Sequence, residues 1–205
     1  MVRKVGFFGA LLLLVPMAAS AQVIIGNLPQ NNDGTQSAAV NDQRQKAHRF
    51  TMGADSFFAG DLILRLRNYD AFDEAIVELR DFSGSNTTPG NNVLLTFSAP
   101  NPGGSDIMNY TFTPDAFFQL SANTTYWIVV RGVGGGSCDW MASSPGITPT
   151  GEATWNSTSF TSNGGSSWSN SSILNSFEFQ AGIPAPGALA LLGFAGLASR
   201  RRRRG

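Results

Sequence analysis

The sequence predicts an all-β protein: a single antiparallel β-sandwich or jelly-roll domain, flanked by an N-terminal signal peptide and a C-terminal short transmembrane helix. Three observations predict it. Apolar residues between positions 45 and 182 recur at every second position, the period of a strand buried on one face. Runs of Gly, Pro, Asn and Ser punctuate them at intervals of about 8–15 residues, as in sandwiches and jelly rolls. From residue 22 to residue 182 no apolar stripe keeps helical period over successive turns, so the helix-compatible apolar runs lie only at the ends.

Residues 1–21 have the parts of a signal peptide. Arg3 and Lys4 give a basic start, an apolar stretch follows, and Ala19 and Ala21 frame an A-x-A cleavage site. Signal peptidase is expected to cut after Ala21. Residues 22–44 read as a polar N-terminal segment, with 30–43 a loop rich in Asn, Asp, Gln, Ser and Gly.

The domain over 45–182 follows. In 61–67, Leu62, Leu64 and Leu66 share one face, with Ile63, Arg65 and Arg67 on the other. In 75–82, Ala75, Val77 and Leu79 point inward and Glu78 and Arg80 outward. Val93, Leu95 and Phe97 mark the next strand, then Met108, Tyr110 and Phe112. Residues 126–131 form a strong strand of aromatic and β-branched residues, in which Trp127 is either an exposed or half-buried indole or one packed in the core. Further strands are expected at 140–142, 153–160 and 177–180. Residues 150–172 are dominated by Ser, Thr, Asn and Gly with spaced aromatics, and read as a loose hairpin packed on the domain.

The final segment, 183–205, opens with Ile183, Pro184, Ala185 and Pro186. An uncharged run over 187–199 and the cluster Arg200, Arg201, Arg202, Arg203 and Arg204 follow. As a helix the run spans roughly 20 Å against a bilayer core of about 30 Å, a gap that tilt, local thinning and snorkelling arginines close. Arginines at one end favour the cytoplasmic side. This three-part tail resembles the PEP-CTERM sorting signal, with Ala185 where the usual motif has Glu. The resemblance implies recognition by an exosortase, a membrane-embedded processing enzyme, and removal of the helix and arginines. In the middle of the chain, the run from Leu120 through Thr124, Thr125, Tyr126 and Trp127 to Val130 resembles the bacterial "choice-of-anchor" domains. That likeness implies a β-sandwich and brings no activity with it.

Charge is distributed unevenly. The chain has 14 basic and 14 acidic residues, but Arg3, Lys4 and the five terminal arginines are all basic. The region between keeps seven basic against 14 acidic residues, a net charge near −7. Such a domain excludes nucleic acid and anionic membrane surfaces as expected partners and leaves sugars, cations and proteins.

Few groups offer chemistry. Cys138 is the only cysteine, so no intrachain disulfide forms, and it reads as a small buried hydrophobe. His48 is the only histidine, beside Arg49 in strand alternation, and is expected at an exposed or edge position without a catalytic role. Asn68, Asp70, Asp73 and Glu74 gather oxygen ligands on one loop in the manner of a calcium site, without the ladder and glycine of an EF-hand. Trp155 and Trp168 stand in polar surroundings suited to stacking on sugar rings.

The expectation is therefore a non-catalytic, exported protein of the cell surface or extracellular matrix, not an enzyme, with no cofactor unless calcium. Its β-sandwich is presented to extracellular polysaccharide, and its tail holds it in the membrane before processing. The alternatives are a carbohydrate-binding module or carbohydrate-active enzyme, and a calcium-stabilised adhesin.

Overall fold

A computed structural model describes residues 22–28, 33–72, 74–133 and 136–182, and among these antiparallel strands account for the regular structure. The signal-peptide features Ala19 and Ala21, the sorting motif Ile183 to Pro186, the arginine tail and the proposed ligand Asp73 lie outside the described residues. The described residues form thirteen strands: β1 (Val23–Gly26), β2 (Asp33–Val40), β3 (Gln45–Thr51), β4 (Phe57–Arg67), β5 (Ala75–Asp81), β6 (Val93–Ser98), β7 (Met108–Pro114), β8 (Gln119–Leu120), β9 (Thr125–Gly132), β10 (Cys138–Ser143), β11 (Thr154–Thr161), β12 (Ser169–Asn170) and β13 (Phe177–Gly182).

They form one curled antiparallel sheet, a half-barrel, in the order β1-β13-β4-β7-β6-β5-β9-β3-β11-β12. Strand β10 joins the side of β4 and carries β2 beyond it, while β8 also pairs with β4. The sheet turns its corner at β6 and β7, which share only the pairs Phe97↔Pro114 and Ser98↔Thr113. Pro114 itself has no N–H to donate, and one further backbone bond, from the Asp115 N–H to the Thr96 carbonyl at 3.0 Å, follows it. Beyond the corner the two halves close over a common core. Phe179 of β13 lies 6.1 Å from Phe50 of β3 and 5.9 Å from Phe97 of β6, ring centre to ring centre.

The alternation seen in the sequence is the alternation of burial. Leu62, Leu64 and Leu66 are buried on β4 while Ile63, Arg65 and Arg67 are partly exposed. Strand β9 is buried on both faces. Tyr126, Ile128 and Val130 enter the main core, and Trp127 and Val129 form a second cluster with Ala47, capped by Trp168. Trp127 is therefore 0% exposed, which decides for the core-packed indole over the exposed or half-buried one. The Arg49 guanidinium lies 5.6 Å from its ring, and Trp168 packs against the same cluster, so polar-sequence elements cover the outer face. On that face Glu78 is 4% exposed and bonded to both Arg80 and Arg131, which compensates its burial.

Two further readings change. The expected polar loop over 30–43 contains β2, which pairs with β10 along its length, so its Ser, Gln and Ala residues serve as an edge strand in which Val40 alone of residues 36–40 is fully buried. Upstream, Ile24 and Ile25 of β1 are fully buried against the main core, and β1 pairs with β13. Mean composition hid both strands, because one is polar and the other is only four residues long.

A buried polar network ties the chain's ends to the middle. Asn27 donates through Nδ2 to the carbonyls of Ile147 (3.0 Å) and Asn175 (3.2 Å) and accepts at Oδ1 from the Phe177 N–H (2.9 Å). Asn175 Nδ2 donates to the Trp140 carbonyl (2.8 Å), and the Trp140 indole donates to the Ser176 carbonyl (2.9 Å). Replacing Asn27 with Ala removes these bonds and strands buried backbone groups. We expect Asn27→Ala to cost about 2–3 kcal/mol in urea unfolding; a loss below about 0.5 kcal/mol would show that the network does not stabilise the fold.

Candidate functional site

Strands β2 and β12 each pair on one side only, β2 with β10 and β12 with β11. Between them the curled sheet stays open, and a groove of about 530 Å³ lies in this seam. Its walls come from Ser37 to Ala39 of β2, from Arg44 to Lys46 at the start of β3, and from the β11–β12 hairpin with the segment that follows. The volume is that of a small-molecule or short-oligomer cleft.

Lys46 is the central group. It stands on the core-facing side of β3, in register with His48 and Phe50, and is only 5% exposed. Its Nζ donates to Ser171 Oγ at 2.7 Å and lies 5.6 Å from the centre of the Phe160 ring, its cross-strand neighbour. Among the described residues no carboxylate pairs with it. Burial lowers its ammonium from the usual lysine range to about 8, because no anion repays the lost hydration. At pH 7 the charged form still predominates by about ten to one. Arg44 stands exposed at the rim of the same groove.

The remaining lining is polar with one aromatic. Ser162, Asn170 and Ser172 are exposed, and Phe160 is 39% exposed. Among the described residues that line the groove none is acidic, although the domain carries twice as many acidic as basic residues. Ser171 Oγ also accepts from the Ile173 N–H at 3.2 Å, which fixes the hydroxyl at the groove floor.

One step deeper on the same strand face lies His48. It is 1% exposed on a strand flanked by β9 and β11, which corrects the expected exposed or edge position. Its Nδ1 pairs with Thr158 Oγ1 at 3.2 Å, and its ring packs 4.7 Å from Phe177 and 5.1 Å from Trp140. Burial first, and then the Lys46 charge, lower its pKa from 6.5 to about 3. The imidazole is thus neutral and sealed from any ligand.

The residues singled out from sequence are dispersed. Trp155 packs against the main core and Trp168 against the outer cluster with Trp127, so the two indoles do not form one platform. Trp168 is the nearer to the groove, standing just before β12. Asn68 donates to Asp139 Oδ2 (3.0 Å), which also receives Arg67 (2.8 Å), and Asp70 Oδ1 accepts the Phe72 N–H (2.9 Å). These contacts organise the loop itself. Among the described residues no three His, Cys, Asp or Glu side chains gather as a metal site, and Glu74 stands exposed. Cys138 is buried.

Sequence reasoning missed the groove, although one signal was present. Lys46 is the only lysine between residues 22 and 182, and it alternates in phase with Phe50, an inward position for a charged residue. An ammonium in the buried phase of a strand marks either an ion pair or a site.

The neutral His48 links stability to pH. Its folded value lies below its unfolded one, so the unfolded chain binds the extra proton and stability falls as pH drops from about 6.5 toward about 3. Between pH 6 and pH 4 the wild-type protein is expected to lose about 2–3 kcal/mol more than His48→Gln, which keeps a partner for Thr158. Parallel urea titrations of the two proteins check this; equal losses would refute the sealed neutral imidazole.

Compared with protein-family models and with curated proteins, the chain matches none, so the reading of the groove rests on its own residues.

Proposed function

We propose that this chain is an exported, non-catalytic protein of the cell surface or extracellular matrix that holds an extracellular polysaccharide in the groove between β2 and the β11–β12 hairpin. The observation that carries the reading is the groove's lining: hydroxyl and amide side chains beside a partly exposed phenyl ring, set on strands and on the segments next to β11 and β12. Sugar hydroxyls need groups that both donate and accept, which Ser, Thr, Asn and Gln supply. A pyranose face needs an apolar ring, which Phe160 supplies. Strands hold these groups in place before a ligand arrives, so little ordering opposes binding.

The curled sheet is best classed as a β-sandwich of jelly-roll type. The ring contacts of Phe179 with Phe50 and Phe97, which span the two halves, support that class. The burial of the only histidine supports a non-catalytic role, since no other imidazole is available for proton transfer.

Export and sorting follow from the termini. Signal peptidase acts after Ala21, and the tail around Pro184 and Pro186 is taken by an exosortase-type enzyme while its helix holds the chain in the membrane. The domain's net charge near −7 keeps it off anionic lipid once released.

Two measurements test this. The intact mass of the protein from its host's envelope and medium is expected to fit a chain starting at Gln22 and ending within 184–186; a mass that retains Arg200 to Arg204 would make the tail a plain anchor. The same protein is expected to bind its host's extracellular polysaccharide, with Phe160→Ala weakening binding about three- to tenfold through loss of the ring face. Unchanged binding by that variant would move the site elsewhere.

A further inference from the structure

We propose that the seam groove is selective for an acidic saccharide, a uronate-containing glycan whose carboxylate sits between Lys46 and Arg44. This rests on the polysaccharide-binding reading and adds the chemical class of the sugar.

The decisive observation is a buried cation without an anion. Lys46 is 95% removed from solvent by the exposure above, yet its only polar partner among the described residues is the Ser171 hydroxyl. An ammonium desolvated to that degree is costly unless an anion completes it. Elsewhere the protein supplies such anions: Glu78 answers Arg80 and Arg131, and Asp139 answers Arg67. The omission at Lys46 is therefore local, in a domain with acidic residues in excess.

The groove supplies what a carboxylate and its sugar ring need. Lys46 gives a point charge at the floor, and Arg44 gives a planar fork at the rim, suited to bidentate contact with a carboxylate. Ser162, Asn170 and Ser172 remain exposed for ring hydroxyls. Phe160 offers a ring face on the same wall, with the Lys46 ammonium beside it. A nucleic acid would also bring anions, but its row of phosphates would meet the field of a domain with net charge near −7 outside this one groove. The lining's hydroxyl and amide groups beside Phe160 match a pyranose ring with free hydroxyls next to each carboxylate, which a uronate brings and a sugar–phosphate chain does not.

The Lys46–Ser171 pair also has the residue types of a serine nucleophile and its base. Here the ammonium donates to Ser171 Oγ, and the Ile173 N–H donates to the same oxygen. Both contacts stabilise that oxygen as an acceptor, which suits holding a ligand rather than attacking one.

Titration calorimetry on the protein purified from its host tests the proposal with four probes: oligogalacturonate, a neutral gluco-oligosaccharide of equal length, dextran sulfate and single-stranded DNA. Oligogalacturonate is expected to bind about tenfold or more tightly than each of the others, and Lys46→Met and Arg44→Gln each to lower its affinity about tenfold. Arg44 is exposed, so its variant reads the site even if Lys46→Met fails to fold. At pH 8, where Lys46 is half-protonated, binding of the carboxylate is expected to take up protons, and Lys46→Met to abolish that uptake. Equal binding of the neutral oligosaccharide, with both variants silent, would overturn the acidic specificity and leave the polysaccharide reading standing. Binding of neither sugar nor the host polysaccharide would overturn that reading too. Equal binding of dextran sulfate or DNA would reduce the groove to a general anion site. Hydrolysis of an ester substrate that disappears in Ser171→Ala would replace binding with catalysis.

Discussion

Everything in the groove depends on how the segment after β12 is pinned to the core. Residues 171–177 leave the outer hairpin and must enter β13, between β1 and β4 in the other half of the sheet, and backbone polar groups go with them into the interior. Asn175, Trp140 and Asn27 meet that constraint together: an indole takes the Ser176 carbonyl, one amide takes the Trp140 carbonyl, and the other brackets Phe177 and Asn175. Buried polar groups left unpaired are costly, so this network leaves the segment one arrangement. Ser171, and with it the contact to Lys46, is set at the near end of that arrangement.

The network reaches the groove through rings as well. His48 packs between Trp140 and Phe177, both of which carry network bonds, and His48 stands two residues from Lys46 on the same strand face. Neutral His48 and charged Lys46 are a consistent pair. Burial first, and then the nearby ammonium, keep the imidazole neutral, and the ammonium is spared a second like charge. The polarity of the strand thus changes along its length, from the Phe50 core through a neutral polar residue to a cation at the opening.

The open seam is also how the fold handles its edges. Strand β2 is composed of small and polar residues and β12 is two residues long, which limits edge-to-edge pairing with other chains. The outer face uses a different solution, where Trp127 is covered by Trp168 and flanked by Arg49. Trp168, from a polar, serine-rich region, therefore seals a second surface of the sheet, while Phe160 is the aromatic residue of that hairpin that lines the groove.

Local sequence determined the strands wherever one face was clearly apolar. The alternation of Leu62, Leu64 and Leu66, the aromatic and β-branched run through Ile128, and Phe177 with Phe179 all appear as buried faces at the expected phase. Periodicity is a property of one strand and its burial, so it is legible without partners. It could not reveal β2, which owes its strand conformation to hydrogen bonds with β10 rather than to apolar residues. Nor could it say that Trp127 and His48 are covered, because the covering groups are distant in sequence: Trp168 and Arg49 for one, Trp140, Thr158 and Phe177 for the other. Lys46 shows the division most clearly. Its phase on β3 is written in the sequence, but its burial beside Ser171, without an anion, arises only when β2 and the β11–β12 hairpin come together across the seam. A charge's environment is the sum of all groups around it, and only the tertiary structure assembles that sum.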